Sequence, residues 1–310
     1  MTRILLTGAR GFVGRQIAKA LAARGLEVHA VSSTGADPSI PAHAWHRLNL
    51  MDKPATEAMV SDVRPTHLVH AAWDTTHGAF WTSDANYAWV SASLGLVDAF
   101  HAAGGQRLVG VGSGAEYDWR FGYCSEDMTP LNPGLPYGVC KASLFRLCEA
   151  YCRSHGISMA WARIFLLYGP YEGHKRLVPS VARALLADRE AACTDGTQIR
   201  DVMHVEDAGG AIAALCISQV TGAVNIGTGQ PMAISRVVRE IGKQLGRSDL
   251  LRLGALPSRP DEPPLLVPDT RKLSLEVGFN PRYDLAGGIA ETIAFWRDRP
   301  AESASPLPSV

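Results

Sequence analysis

Residues 7–14 read TGARGFVG and follow directly on the apolar run ILL at residues 4–6. Gly8, Gly11 and Gly14 lie between that run and the amphipathic segment GRQIAKALAARG, which ends at Gly25. A strand, a tight turn and a helix that opens on glycine bring backbone close to a pyrophosphate. Glycine allows the bend and the close approach. The first helical turn offers unpaired N–H groups and the positive end of its dipole. Ala9, Arg10, Phe12 and Val13 complete the turn, so residues 8–14 are the expected dinucleotide cradle. Such a turn commits the chain to an α/β sheet.

The rest of the first half alternates accordingly. Strands are expected over RILLTG, LEVHAVSS, THLVHAA, RLVGVGS and SMAWARIFLLYG. Helices are expected after the glycine turn, near residues 54–62, over NYAWVSASLGLVDAFHAAG and over PYGVCKASLFRLCEAYCRSHG. Strands alternating with helices predict right-handed βαβ units and a doubly wound parallel sheet. After YGPYEG the texture changes to helices RLVPSVARALLADRE, ISRVVREIGKQLG and AGGIAETIAFWRD. Between them lie a strand and helix in TQIRDVMHVEDAGGAIAALCIS and a strand and turn in GAVNIGTG. The expected division is a dinucleotide-binding domain over 1–168, with a returning segment near 201–230. A smaller mixed α/β substrate lobe covers 169–200 and 231–300, and 301–310 form a tail. The proline-rich stretch LPSRPDEPPLLVPDT is read as an extended loop.

Composition narrows the partners. Thirty basic and thirty acidic residues in 310 give no general attraction to nucleic acid or to an anionic membrane. No apolar stretch approaches the roughly 20 residues that span a bilayer, and the N-terminus lacks a signal-peptide core. Cys124, Cys140, Cys148, Cys152, Cys193 and Cys216 contain no CxxC pair. They read as reduced thiols, and the expected location is cytoplasmic. Cys148, Cys152 and His155 share a helical face, but no fourth ligand is evident, so no metal is expected.

The chemistry is read from three residues. In PYGVCK, Tyr137 and Lys141 are four apart and share a helical face. A lysine cation beside a phenol favours phenolate, so this tyrosine is expected to exchange a proton near neutral pH. Ser113 ends a strand, at the rim where open α/β sheets hold ligands. Its hydroxyl can polarise the same substrate oxygen. The set suits hydride transfer with Tyr137 as acid and base; the plain alternative for Tyr137 is a packing residue. The second strand ends in Ser32 and Ser33, with no acid before Asp37. An NAD site usually holds the ribose 2′-hydroxyl with an acid there. Its absence, with Arg10 close by, favours NADP, and NAD stays open.

These residues resemble the short-chain dehydrogenase/reductase superfamily, and more closely its extended branch of nucleotide-sugar epimerases, dehydratases and reductases. TGARGFVG is similar to its TGxxGxxG, YGVCK to its YxxxK and FLLYGP to its YGP segment. DGTQIRDVMHVEDA resembles its RDF-x-x-V-x-D run, and VNIGTG its NIG turn. SRPDEPP and DTRKLSLEVGFNP resemble its closing motifs. The likeness spans nearly the whole chain in order. It implies a Rossmann fold with Ser113, Tyr137 and Lys141 as catalytic residues. It implies cofactor contacts from VHAAW (Ala71, Ala72 and Trp73), from Asn86 and from Asn49 and Leu50. It implies that Arg200 and Arg259 clamp a nucleotide diphosphate, that Asp207 braces the fold, and that the helices near 86–103 and 138–155 pair in a homodimer.

Departures from the family pattern narrow the reaction. Its sugar 4,6-dehydratases carry Asp-Glu directly after the catalytic hydroxyl residue, where this chain has Gly114 and Ala115. Glu116 comes one position late, so dehydration is disfavoured. Leu166 replaces a substrate-contacting Asn, which weighs against a standard galactose-type epimerase. The remaining readings are reduction of a nucleotide-linked 4-keto-6-deoxyhexose, preferred, or a 4-epimerase that retains NAD. A non-catalytic NADP-binding sensor is the alternative from another class. Trp73, Trp81 and Trp89 read as core or stacking residues, His70 as a core histidine and Arg163 as structural. His77 lies in a loop near the expected cleft.

Overall fold

A computed structural model of the chain describes residues 2–258, 260 and 262–299. The opening run folds as strand β1 (Arg3–Thr7), and the glycine turn leads into helix α1 (Gly14–Ala22). There follow β2 (Glu27–Ser32), β3 (Ala44–Arg47), α2 (Lys53–Val63), β4 (His67–His70), α3 (Ala85–Ala102) and β5 (Arg107–Ser113). Then come β6 (Tyr123–Cys124), α4 (Pro136–His155), β7 (Ser158–Ile164), β8 (Leu166–Tyr168), α5 (Leu177–Leu186) and β9 (Ala191–Ala192). The chain closes with β10 (Ile199–His204), α6 (Val205–Ile217), β11 (Gly222–Ile226), β12 (Pro231–Ala233), α7 (Ile234–Leu245), β13 (Leu251–Arg252), β14 (Leu265–Pro268), α8 (Arg271–Leu275) and α9 (Leu285–Arg297).

Seven strands form the large sheet in the order β3-β2-β1-β4-β5-β7-β11. Every neighbouring pair is parallel. Both faces are covered, as a parallel sheet requires. Ile4 and Leu6 join the core shared with α1 and α6, while Leu5 faces the opposite core with α3 and α4. The strand order turns back between β1 and β4, which opens a crevice at the carboxyl ends of those strands. The glycine turn and the exit of β4 lie there. The expected doubly wound sheet is therefore present, with a smaller mixed sheet beside it.

The smaller sheet runs β12-β10-β14-β6, with β8 on the free part of β10. Only β12 is antiparallel to its neighbour. Two sequence expectations change here. SMAWARIFLLYG is not one strand: the chain leaves the large sheet at Phe165, and β8 pairs with β10 instead. The proline-rich stretch is not all loop: β14 inserts between β10 and β6. Its leucines and valine supply the ladder amides, and Pro268 stands at its end, where no donor is needed. From β10 the chain returns through α6, which packs on α1, and β11 closes the large sheet. An added Cβ at Gly209 would meet the Gln16 side chain at 2.5 Å, so that helix contact needs glycine.

All six cysteines are buried and unpaired. No helix of the described residues is long and apolar enough to cross a membrane. Residues 301–310 and Arg259 lie outside the described residues.

Candidate active site

The glycine turn is tight enough to explain its composition. Gly8 has φ +68°, and an added Cβ would lie 2.7 Å from the Ala72 amide nitrogen. At Gly14 a Cβ would sit 2.0 Å from the Gly8 carbonyl oxygen, which the Gly11 amide already engages at 2.9 Å. The amides of Phe12 and Val13 make no backbone hydrogen bond among the described residues. Together with the start of α1 they form a donor set suited to an anionic pyrophosphate, so the residues fit a dinucleotide. Ala9 is buried against the sheet, and the Ala72 amide donates to the Thr7 hydroxyl at 3.2 Å. His70 bridges Thr7 and Ser93, at 2.8 Å to each. Burial lowers its pKa to about 3, so it is a neutral core histidine.

Arg10 crosses to the end of β2, where its guanidinium donates to the Thr34 hydroxyl at 2.6 Å. The Ser32 hydroxyl lies 3.1 Å from the same oxygen, and Ser33 is exposed beside it. The next acid, Asp37, is engaged by Arg15 and Ser39. Leu50 is buried, and the Asn49 side chain accepts from the Met51 amide in its own turn.

Ser113 ends β5, and Tyr137 and Lys141 occupy the first two turns of α4. The chain thus brings all three together from distant positions. The Ser113 hydroxyl lies beside the Tyr137 hydroxyl and acts to lower its pKa. Phe80 and Trp81 stand edge-on to the phenol ring with centroids at 4.9 and 5.5 Å, and Trp73 follows at 6.4 Å. Lys141 does not stand beside the phenol as expected. Burial in this aromatic cage raises the phenol to about 12, opposed by the Ser113 hydroxyl. Lys141 is turned away: its ammonium donates to the Val111 carbonyl at 2.9 Å and lies 3.8 Å over the Trp73 ring. Burial lowers it to about 7.

Trp73 is fixed by Asn86, whose side-chain oxygen accepts the indole N–H at 2.8 Å. The Asn86 amide donates to Phe80 and Ser83 carbonyls. Asn86 is thereby committed to orienting Trp73 and the segment that covers Tyr137. Trp89 stacks on Trp73 at 5.9 Å.

Glu116 is held inside the protein. Its carboxylate is fully buried and accepts from the Ser113 amide, the Trp161 indole and the Arg163 guanidinium at 2.8, 2.9 and 2.7 Å. Arg163 also donates to the Tyr117 hydroxyl, which donates to Asn225. Arg200 is mostly buried and paired with Glu262 at 3.0 Å. Asp207 accepts the backbone amides of Arg282 and Tyr283, a bracing role. Leu166 is exposed.

Two residues that the sequence did not single out lie near this site. Burial raises Glu172 to about 8, and one of its oxygens has no partner. The Arg176 guanidinium lies 5.7 Å over Phe80 of the aromatic cage. Their only sequence signal is position, directly behind YGP.

The NAD dependent epimerase/dehydratase family matches residues 4–227. The chain belongs to this family. Among curated relatives it is similar to a dTDP-glucose 4,6-dehydratase of Streptomyces niveus, 26% identical over 96% of this chain and 94% of that protein. It is also similar to a UDP-glucose 4-epimerase of Corynebacterium glutamicum, 27% identical over 94% of this chain and 95% of the relative. Among solved structures, the Thermus thermophilus UDP-glucose 4-epimerase complex with NAD is 26% identical. It covers 96% of this chain and all of its own, with a TM-score of 0.84. After Ser113 this member of the epimerase/dehydratase family has Gly114 and Ala115, and the carboxylate that follows, Glu116, is held by Arg163.

Proposed function

We propose that this chain is an NAD(P)-dependent oxidoreductase acting on a nucleotide-linked sugar, with Tyr137 moving the proton. The observation that carries the reading is that Ser113 at the end of β5 meets Tyr137 on α4, one helical turn from Lys141 at the rim of the sheet. A bound nicotinamide dinucleotide supplies the two-electron redox chemistry. The Tyr137 hydroxyl gives its proton to the substrate oxygen in the reducing direction and takes it back in the oxidising one. Ser113 polarises the same oxygen. Lys141 must swing from the Val111 carbonyl toward the phenol to lower its pKa. Arg200 and Arg259 are proposed to hold the diphosphate, since a guanidinium fork pairs with phosphate oxygens. Dehydration is disfavoured, because Glu116 is committed to Arg163 and Trp161.

The finer reading is reduction of a nucleotide-linked 4-keto-6-deoxyhexose by NADPH. Its support is the acid-free end of β2 with Arg10, Thr34 and Ser32 gathered there. A 4-epimerase that retains NAD is the second reading. It is favoured by relatives of that name at 26–27% identity, one of them solved with NAD. A purified sample given NADPH and a nucleotide-linked 4-keto-6-deoxyhexose separates them. Loss of NADPH absorbance, abolished in Tyr137→Phe, supports the reductase. Interconversion of UDP-sugars without added cofactor supports the epimerase. Inactivity in both assays across a panel of nucleotide sugars overturns the proposal.

A further inference from the structure

We propose that His204, Glu206 and Glu291 form a divalent-cation site, outside the Ser113–Tyr137 crevice, that ties α6 to α9. One donor atom from each lies within 4.8 Å of the other two. His204 caps the start of α6, Glu206 is in its first turn, and Glu291 comes from α9. The His204 side chain is closed to solvent, yet neither ring nitrogen has a hydrogen-bond partner, and neither does Glu291 Oε2. His204 Nε2 and Glu291 Oε2 nevertheless approach to 3.3 Å without hydrogen-bond geometry. Orphaned buried polar atoms call for a missing partner, and an unseen ion is one of the recognised kinds.

The His204–Glu291 spacing accommodates an ion. Zinc–nitrogen and zinc–oxygen bonds of about 2.0–2.1 Å in a tetrahedron hold neighbouring donors about 3.3–3.4 Å apart. A simple ion pair fits less well, because His204 Nε2 and Glu291 Oε2 approach without hydrogen-bond geometry. A neutral imidazole is the form that ligates. The ring is fixed between Tyr168 and Tyr283, with centroids at 5.3 and 4.0 Å. Gly169 packs against it: an added Cβ would stand 3.0 Å from Nε2 and 2.7 Å from the Val205 side chain. The Tyr283 hydroxyl donates to Glu206 at 3.0 Å and also engages Glu291, which orients both carboxylates. Arg282 approaches Glu206 at 3.6 Å, but its side chain is largely exposed and free to move aside. The two carboxylates are 25% and 35% exposed, which gives an ion a way in. One imidazole with two carboxylates suits a divalent cation, for which Zn²⁺ and Co²⁺ serve as probes.

A second cluster, Glu27, His29 and His43, meets the same distance limit but carries no such argument. His29 is bonded through one ring nitrogen to Glu27 and through the other to His46, and Arg3 holds Glu27. Its polar groups already have partners.

The test uses untagged full-length protein, stripped by a chelator and dialysed. Zn²⁺ is titrated by calorimetry, and Co²⁺ is followed by its visible absorption. One equivalent, with an intense tetrahedral cobalt spectrum, is expected. Glu291→Gln and Glu206→Gln keep side-chain shape and are each expected to weaken binding at least about 100-fold. His29→Ala is expected to leave it unchanged. No bound equivalent, or binding that survives both Gln variants and vanishes in His29→Ala, overturns the proposal.

Discussion

Tyr137 is under two opposed influences, and their balance sets its chemistry. Burial in the cage of Phe80, Trp81 and Trp73 raises the phenol to about 12, and the Ser113 hydroxyl and the Arg176 charge work the other way. Tyr137→Phe keeps the ring that fills the cage and removes only the hydroxyl. Turnover should fall about 10²–10⁴-fold with an unchanged unfolding midpoint, which steady-state kinetics and a urea titration check together. Glu116 behaves in the opposite way. Glu116→Ala strands Arg163 as a buried charge, so unfolding free energy should fall by about 3–5 kcal/mol. A full-stability Glu116→Ala protein lacking activity would reverse this assignment to a catalytic acid. His70 supplies a pH signature. Its folded pKa is depressed from 6.5 to about 3, so the unfolded chain binds the extra proton between those values. Its stabilising effect is complete above pH 6.5 and is lost as pH falls toward 3. Between about pH 7 and about pH 5 the loss attributable to this residue is about 2 kcal/mol, which His70→Gln should remove from the urea-derived pH profile. The sequence singled out Ser113, Tyr137 and Lys141 by type and spacing. It could not give the phenol's pKa, because that depends on a lysine rotamer and on rings from residues 73–81.

The glycine turn was legible because its constraint is local: three positions where a side chain has no space. Gly14→Ala sets a methyl 2.0 Å from the Gly8 carbonyl and must push α1 away from the turn. The affinity for NAD(P), measured by calorimetry, should fall at least about tenfold even where the protein stays folded, because the amides of Phe12 and Val13 move with the helix. Unchanged affinity would remove the turn from cofactor binding. Elements defined by distant pairing were harder to read. β7 and β8 form one apolar run, and the break at Phe165 appears only because β10 arrives to pair with β8. Prolines hid β14 for a similar reason: its strand character is imposed by β10 and β6 on either side. Glu116 and Arg163 stand 47 residues apart, and no spacing rule joins them.

At the scale of the whole molecule, α3 and α4 lie side by side on the large sheet, and both leave apolar surface uncovered. Tyr87 on α3 is 57% exposed, and Val139 and Leu147 on α4 are 43% and 48% exposed. The outer face of α3 carries Ala88, Ser91, Ala92 and Gly95, which line a shallow groove shared with α2. Small residues on one helix beside large apolar ones on its neighbour suit close helix packing across a two-fold axis, where each patch meets its own copy. The crevice opens elsewhere, at the carboxyl ends of β1, β4 and β5, so pairing through this face leaves the site accessible. The amphipathic faces were visible in the sequence, whereas their exposure in the folded chain was not. Light scattering on the eluted protein should give twice the chain mass. Leu147→Glu buries a charge at such an interface and should shift the mass toward the single chain by at least about 2 kcal/mol of association free energy. Leu147 lies about 15 Å along α4 from Tyr137, so the monomeric variant should bind NAD(P) with unchanged stoichiometry. A wild-type protein already monomeric at high concentration would assign the exposed residues to no self-association at all.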